Sequence, residues 1–477
     1  MHHEPVAPVS RRYRPFDSLF ARLGQNRNVH PLAAQAALAI VLLGLAPAPT
    51  QAAPAAKDAQ LEQITSEISA SRIEATIRKL VSFGTRHTLS AKAAPDRGIA
   101  PATAWVHSEF ERAARQGGAR LEVKLDTFVQ PVSARVPVPT QMTNVLAVLP
   151  GTSDPGRIYV VSGHLDSCVC AQDVLDATSD APGADDDASG VAVVLELARV
   201  MAKERFPATI VFAAVVGEEQ GLYGSAHLAE QYRAQGAQIE GMITNDIVGS
   251  SAGRTGPPAL RVFSEGVPSD ESEAQAKVRR SVGGENDAPS RQLARYIQEV
   301  AGRTVPGITV EPIWRRDRYS RGGDHIPFLQ NGYPAVRFTE WLEDYRHQHQ
   351  RLRTKDGIQY GDLPQFVDFN YVAQVARVNA VALASLALAP AAPKAVTIDS
   401  SLSNDTKLQW QAVPGAVGYQ VVWRETTAPF WNHVQSTGTA TSFTLPNLSK
   451  DNYFFGVQSL DSNGHASLVS FPKPTPR

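Results

Sequence analysis

RIYVVSGHLDS at 157–167, SGVAVVLELARVMAKE at 189–204 and TIVFAAVVGEE at 209–219 decide the fold. The first and third runs contain the continuous apolar stretches IYVV and IVFAAVV, the composition of strands buried on both faces. The run between them is apolar and long enough for a helix. Strand, helix and strand in that order imply parallel strands joined by a crossover. The alternation continues downstream. SAHLAEQYRAQ (225–235) predicts a helix, IEGMITNDIVG (239–249) a strand and PSRQLARYIQEVAG (289–302) a helix. YPAVRFTE (333–340) predicts another strand and YVAQVARVNAVALASLALA (371–389) a closing helix. Upstream, ITSEISASRIEATIRKLVSF (64–83) and ATAWVHSEFERAARQG (102–117) carry apolar residues at helical spacing, and TNVLAVLPG (143–151) is a strand entering a turn. The expected architecture over 57–388 is α/β: a mixed, mostly parallel central sheet flanked by helices.

Beyond 388 the pattern changes. Residues 389–395 form a Pro/Ala linker, and 396–477 carry short alternating strands: TKLQWQAV, GYQVVWRE, TSFTLPNL and NYFFGVQSLD. This predicts a separate all-β sandwich with Trp410, Tyr419 and Tyr453 as core aromatics. At the other end, arginines 11, 12, 14, 22 and 27 precede the apolar run LAAQAALAIVLLGLA (32–46) and a small-residue exit at 50–52. That layout, over residues 1–52, is one of export, giving a secreted or periplasmic protein. The apolar run is too short for a stable membrane span.

Bulk composition narrows the partners. A net charge of −1 over 477 residues offers no basic face for nucleic acid. The two cysteines, Cys168 and Cys170, cannot form a disulfide scaffold, because a bridge between them would close a very small ring. Two thiols alone do not complete a tetrahedral zinc site either, so both read as loop residues without a role.

Chemistry concentrates where strands should end. His164 closes the first strand with Asp166 two residues on, a placement suited to anchoring the second ring nitrogen of a metal-binding imidazole. Asp185, Asp186 and Asp187 stand immediately before the apolar helix. Capping by Asp187 explains one of these carboxylates; three together call for a cation. Glu218 and Glu219 follow a buried strand, where adjacent side chains point differently, so one can ligate and the other contact water. Asp246 ends the next strand, and His347 and His349 lie two apart in YRHQHQ. Asp324 and His325 occupy a Gly-rich loop, as a brace and a lining residue.

The ordered set GHLDS, PGADDDASG, GEEQGLYGS, ND and GGDHIPF followed by GYPAVRFTE resembles the co-catalytic di-zinc aminopeptidases of secreted bacterial enzymes. These form peptidase family M28, whose relatives include glutamate carboxypeptidase and glutaminyl cyclase. The resemblance implies two Zn2+ ions, with His164, Asp186, Glu219, Asp246 and a last histidine as ligands. It also implies Asp186 as the shared carboxylate, Glu218 as general base and Asp166 as the orienting acid. The last histidine falls on His349, with His347 as the alternative, because DYRHQHQRLRTKDG departs from the usual Tyr-His-Thr segment. The implied pairing is His164 with Asp246 and Glu219 with His349, the opposite allocation remaining open. Implied substrates are peptides with a free N-terminus. A carboxypeptidase or amidohydrolase reading stays open through Arg315, Arg316, Arg318 and Arg321, beside a glutaminyl cyclase and a non-catalytic binding protein. The C-terminal region resembles a fibronectin type III domain, implying contact with a surface or polymer.

Overall fold

The computed structural model describes residues 58–90 and 95–475. The export signal expected over 1–52 lies outside the described residues. One eight-stranded sheet organises the rest: β1 (Glu122–Gln130), β2 (Thr140–Leu149), β3 (Asp154–His164), β4 (Ala208–Val215), β5 (Gln238–Asn245), β6 (Ala259–Ser264), β7 (Thr309–Ile313) and β8 (Ala335–Glu340). Its order is β1-β2-β4-β3-β5-β8-β6-β7. The central four, β4-β3-β5-β8, run parallel, while β2 and β6 join them antiparallel. The sheet is therefore mixed and mostly parallel, as the apolar runs imply.

Strand alternation divides the core into two layers. Tyr159 and Val161 of β3 and Ile210, Phe212 and Ala214 of β4 face one layer, built on α4 (Ala188–Met201) and the closing helix at Phe369–Leu388. Val160, Val211, Ala213 and Val215 face the other, with Leu228, Ala229, Phe328 and Leu329. The closing helix is long and apolar enough to cross a membrane, yet nearly all its residues from 371 to 387 are buried in the first layer.

Two stretches differ from expectation. Residues 64–83 do not form one helix but two, α1 (Ala59–Ser66) and α2 (Ala70–Val81). Ser69, extended at φ −120°, accepts from the Arg72 amide and restarts the helix, as N-cap serines do. The edge strand β1, EVKLDTFVQ, is not among the strands read from the sequence; it alternates charged with apolar residues, but Leu125 and Val129 on its apolar side remain exposed.

The C-terminal region holds two small sheets. One has four strands, Ser442–Leu445, Thr406–Gln409, Thr397–Ile398 and Lys473–Pro474; the other has three, His433–Gly438, Gly418–Glu425 and Tyr453–Leu460. Trp410 and Tyr419 lie in the core between them, but Phe455 is buried there and Tyr453 only packs against it. The 389–395 segment is tied down rather than free: Arg157 donates to the Ala389 carbonyl at 2.7 Å and Ser459 to Ala391 at 2.6 Å. A buried charge cluster joins the two regions. Asp287 accepts from Arg424 at 2.7 Å and from Arg295 at 3.2 Å, while Trp431 donates to Gln292 at 3.0 Å.

Candidate metal centre

The carboxyl ends of β4, β3, β5 and β8 lie side by side, the place where open α/β sheets bind ligands. His164 is the last residue of β3, Asp246 follows β5, and Asp186 precedes α4. Close approach of α4 to the strand tips explains two glycines. A Cβ on Gly163 would lie 2.5 Å from the Gly190 backbone, and one on Gly190 2.3 Å from the Asn245 carbonyl. Asp187 caps α4 through the Gly190 amide at 2.9 Å and accepts from the His164 amide at 2.8 Å, fixing helix to strand.

The side chains converge on Asp186. Its Oδ1 lies 3.0 Å from His164 Nε2 and its Oδ2 2.9 Å from His349 Nε2. His349 Nε2 is also 3.1 Å from Glu219 Oε2, and His164 Nε2 is 3.9 Å from Asp246 Oδ1. Two groups result, His164–Asp186–Asp246 and Asp186–Glu219–His349, each with ligand atoms within 4.8 Å of one another. His347 is elsewhere, stacked on Phe366 with ring centroids 3.7 Å apart.

Three sequence-based expectations need correction. The Asp166 carboxylate is not the hydrogen-bond anchor of His164: Nδ1 meets the Asp166 backbone carbonyl at 3.1 Å, and the nearer carboxylate oxygen stands 3.8 Å away. That carboxylate instead accepts from the amides of Glu218 at 3.3 Å and Glu219 at 3.1 Å. Glu218 and Glu219 are not extended; Gly217, at φ +72°, turns the chain into the one-turn helix Glu218–Gly221. Their side chains diverge because successive helical residues are rotated about 100° apart. Thirdly, Cys168 and Cys170 are bridged. Their Cα atoms are 5.2 Å apart, within the span a disulfide accepts, because the chain turns tightly at residue 169.

Residues not assigned a role from the sequence complete the site. Asp362 accepts from the Asp185 amide at 2.9 Å and the Asp186 amide at 2.8 Å, holding the acidic triplet from behind. Arg86, wholly buried, donates to the carbonyls of Leu165, Pro182 and Gly183 and places its charge under these acids. Burial lowers its pKa to about 10, with Asp362, Asp187, Asp166 and Asp186 opposing that fall. Arg337 of β8 grips Asp246 with both terminal nitrogens. Gln348 donates to Asp186 at 3.1 Å. Arg337 and Gln348 sit within GYPAVRFTE and YRHQHQ, whereas Arg86 and Asp362 lie outside every motif and only the fold brings them there.

Burial favours neutral forms, and here the neighbours decide the outcome. Burial works to discharge His164, but Asp187 and Asp186 outweigh it and raise its pKa well above the usual imidazole range. Asp186 goes the other way, held well below the usual range by His164 and His349 against its burial. Burial raises Glu218, and Asp246, Asp324 and Glu219 add to it while His164 opposes them. Asp324 and His325 are both wholly buried. Burial pushes Asp324 up to about 7 and His325 down to about 4, the latter with its Nε2 2.8 Å from the Arg316 carbonyl.

The donor set fits a divalent cation. Imidazole nitrogens and carboxylate oxygens are zinc ligands. Glu219 Oε1 is buried without a hydrogen-bond partner, an acceptor that a cation would satisfy.

Comparison with known proteins gives the family. The profile of peptidase family M28 matches residues 144–372, which include every residue of both groups. A probable zinc metalloprotease of Leptosphaeria maculans is 49% identical over 88% of this chain and 98% of its own length. The chain belongs to peptidase family M28. A probable zinc metalloprotease of Pyricularia oryzae is 50% identical over 87% of this chain and 85% of its own length. LapB from Legionella pneumophila shares the M28 chain's fold, at a TM-score of 0.51 and 19% identity over 70% of this chain and 76% of that one. Both sequence relatives are fungal and lend the expected bacterial origin no support. The family match ends at residue 372, before the C-terminal sheets, and leaves the fibronectin type III likeness without support.

Proposed function

We propose that this M28 peptidase is a secreted or periplasmic zinc metalloprotease of the aminopeptidase kind, hydrolysing the first peptide bond of peptides with a free N-terminus. The observation that carries the reading is Asp186, whose two oxygens face two different imidazoles at 3.0 and 2.9 Å. Placed this way, Asp186 would belong to both ligand groups and could help to hold two ions. His164 and Asp246 would hold the first zinc, and Glu219 and His349 the second.

When bound, zinc supplies Lewis acidity, polarising the scissile carbonyl and lowering the pKa of water towards about 7. Glu218, with part of its surface open to the cleft, takes the proton from the attacking water and returns it to the leaving amine nitrogen. Asp166 holds the Glu218 and Glu219 amides, so both carboxylates start from a fixed turn. A substrate α-ammonium suits a cleft this rich in carboxylates. Of the four arginines a substrate carboxylate could use, Arg318 and Arg321 are engaged with Glu343, while Arg315, stacked over Tyr319, and Arg316 keep the carboxypeptidase reading as the alternative that the test decides.

The test uses free and amino-blocked peptides, with and without a chelator. Release of the first residue from free peptides alone, lost to chelator and restored by zinc, is the expected result. Cleavage of blocked peptides from the carboxyl end overturns it.

A further inference from the structure

The Cys168–Cys170 bridge lies against the centre. Its two sulfurs and a Glu219 oxygen are within 4.8 Å of one another, and Glu219 Oε2 is 3.1 Å from His349 Nε2. The next residue along the same turn, Ala171, donates its amide to the His349 carbonyl at 3.1 Å. His349 needs such support, because its φ of +58° is in the left-handed region that side-chain-bearing residues seldom adopt. A bridge between residues two apart removes little freedom from the unfolded chain, so its effect is local. That effect is the shape of the turn that steadies His349 and the masking of two soft donors beside Glu219.

We propose that this bridge is a reducible latch on the metal centre: a dithiol reductant opens it, and Cys168 and Cys170 then form, with Glu219, a sulfur-rich site that draws the ion away from His349. The inference rests on the reading that Asp186, Glu219 and His349 hold an ion. A reductant thiolate attacks Sγ of Cys170, the more exposed of the pair, and Cys168 leaves as a thiolate. The second thiol of the reductant then closes its own disulfide and releases Cys170. Two electrons and two protons have passed to the protein, and the reductant is oxidised to its disulfide. Soft divalent ions prefer thiolates to the carboxylate and imidazole donors that would be displaced. Loss of the bridge also frees the turn behind the His349 carbonyl.

Cadmium, titrated into metal-free full-length protein, tests this directly. Oxidised protein should bind it without sulfur-to-metal charge-transfer absorption. Protein treated with dithiothreitol, then freed of it without air, should show two titratable thiols and a strong ultraviolet band. Zinc affinity at the His349 position should fall on the order of 10-fold or more upon reduction. In the double variant Cys168→Ser, Cys170→Ser, the band should be absent and zinc affinity indifferent to reductant. Two free thiols without the band, a bridge that dithiothreitol leaves closed in folded protein, or an equal response in the double variant overturns the latch alone. Failure of the oxidised protein to bind either ion defeats the centre itself, and the latch with it.

Discussion

Arg337, wholly buried on β8, donates from both terminal nitrogens to the carboxylate of Asp246, one of these contacts measuring 2.7 Å. Its other partner is the Gly322 carbonyl at 2.9 Å, so the guanidinium is fixed on two sides. Asp246 is thereby aimed at His164 before any ion arrives. Arg337→Met should weaken the ion at the His164–Asp246 position by about 10–100-fold, the usual effect of losing a group that orients a ligand. It should also destabilise the fold by about 3–5 kcal/mol, because a buried carboxylate loses its partner. Arg337→Lys should recover charge but not the two-pronged geometry, restoring stability more than affinity. Chelator competition and thermal unfolding read the two effects separately. Unchanged metal affinity in Arg337→Met would refute the orienting role.

The two histidines of the YRHQHQ segment separate cleanly. His349→Ala should remove one of two bound ions and nearly all turnover, whereas His347→Ala should leave the metal count intact. Metal content by elemental analysis checks both. The reverse pattern would move the ligand to His347.

Glu218→Gln should retain both ions and lose about 10²–10⁴-fold in kcat, as expected for a group that moves a proton without holding metal. Retained turnover with lost metal would exchange the roles of the two adjacent glutamates.

The chain showed its central strands because β3, β4, β5 and β8 are buried on both faces and carry near-continuous apolar runs. It concealed β1, an edge strand with charges in its middle, and the break at Ser69, where a cap interrupts an otherwise unbroken helical period. His164, Asp186, Glu219 and Asp246 were legible because each closes, follows or shortly precedes a legible element. Arg86 and Asp362 were not, since they arrive from distant segments and leave no local pattern, and Arg337 stood within a quoted motif without its role being readable. The Cys168–Cys170 bridge was misjudged because sequence separation measures ring size but not the turn that brings two Cα atoms together.

At the join between the two regions, Asp287 is shared by Arg295 and Arg424, all three buried. Arg424→Met should cost about 3–5 kcal/mol, the range for breaking a buried ion pair. Urea unfolding should then show the C-terminal sheets melting earlier than the main sheet. A single unshifted transition would show the cluster to be energetically idle.

His465 provides a pH-dependent tie between the C-terminal region and α1, with Asp58 at 2.5 Å and Asp461 at 2.7 Å. Burial works to discharge it, but these two carboxylates prevail and raise its pKa above 6.5. Asp58 is lowered below 3.8, its hydrogen bonds to His465 and to two amides overcoming burial. The His465 contribution is fully present below pH 6.5 and fades as pH climbs through the raised value. The Asp58 contribution is present above 3.8 and fades as pH drops through the lowered one. The pair therefore stabilises most between these two limits, by about 0.5–1 kcal/mol. Compared with His465→Gln, the unmutated protein should lose its melting-temperature advantage in alkaline buffer. An advantage constant from pH 5 to 9 would assign the contact no charge.

Asp187 joins the amide of His164 to the first turn of α4, and Asp362 clasps the neighbouring acids from the far side of the sequence. The acidic cluster is thus held by bonds that also fix the start of α4 to the end of β3. Stripping the ions from such a protein should leave an open but correctly shaped receptacle, ready to refill without refolding. Its catalytic competence becomes a matter of ion supply, while its shape is inherited from the sheet.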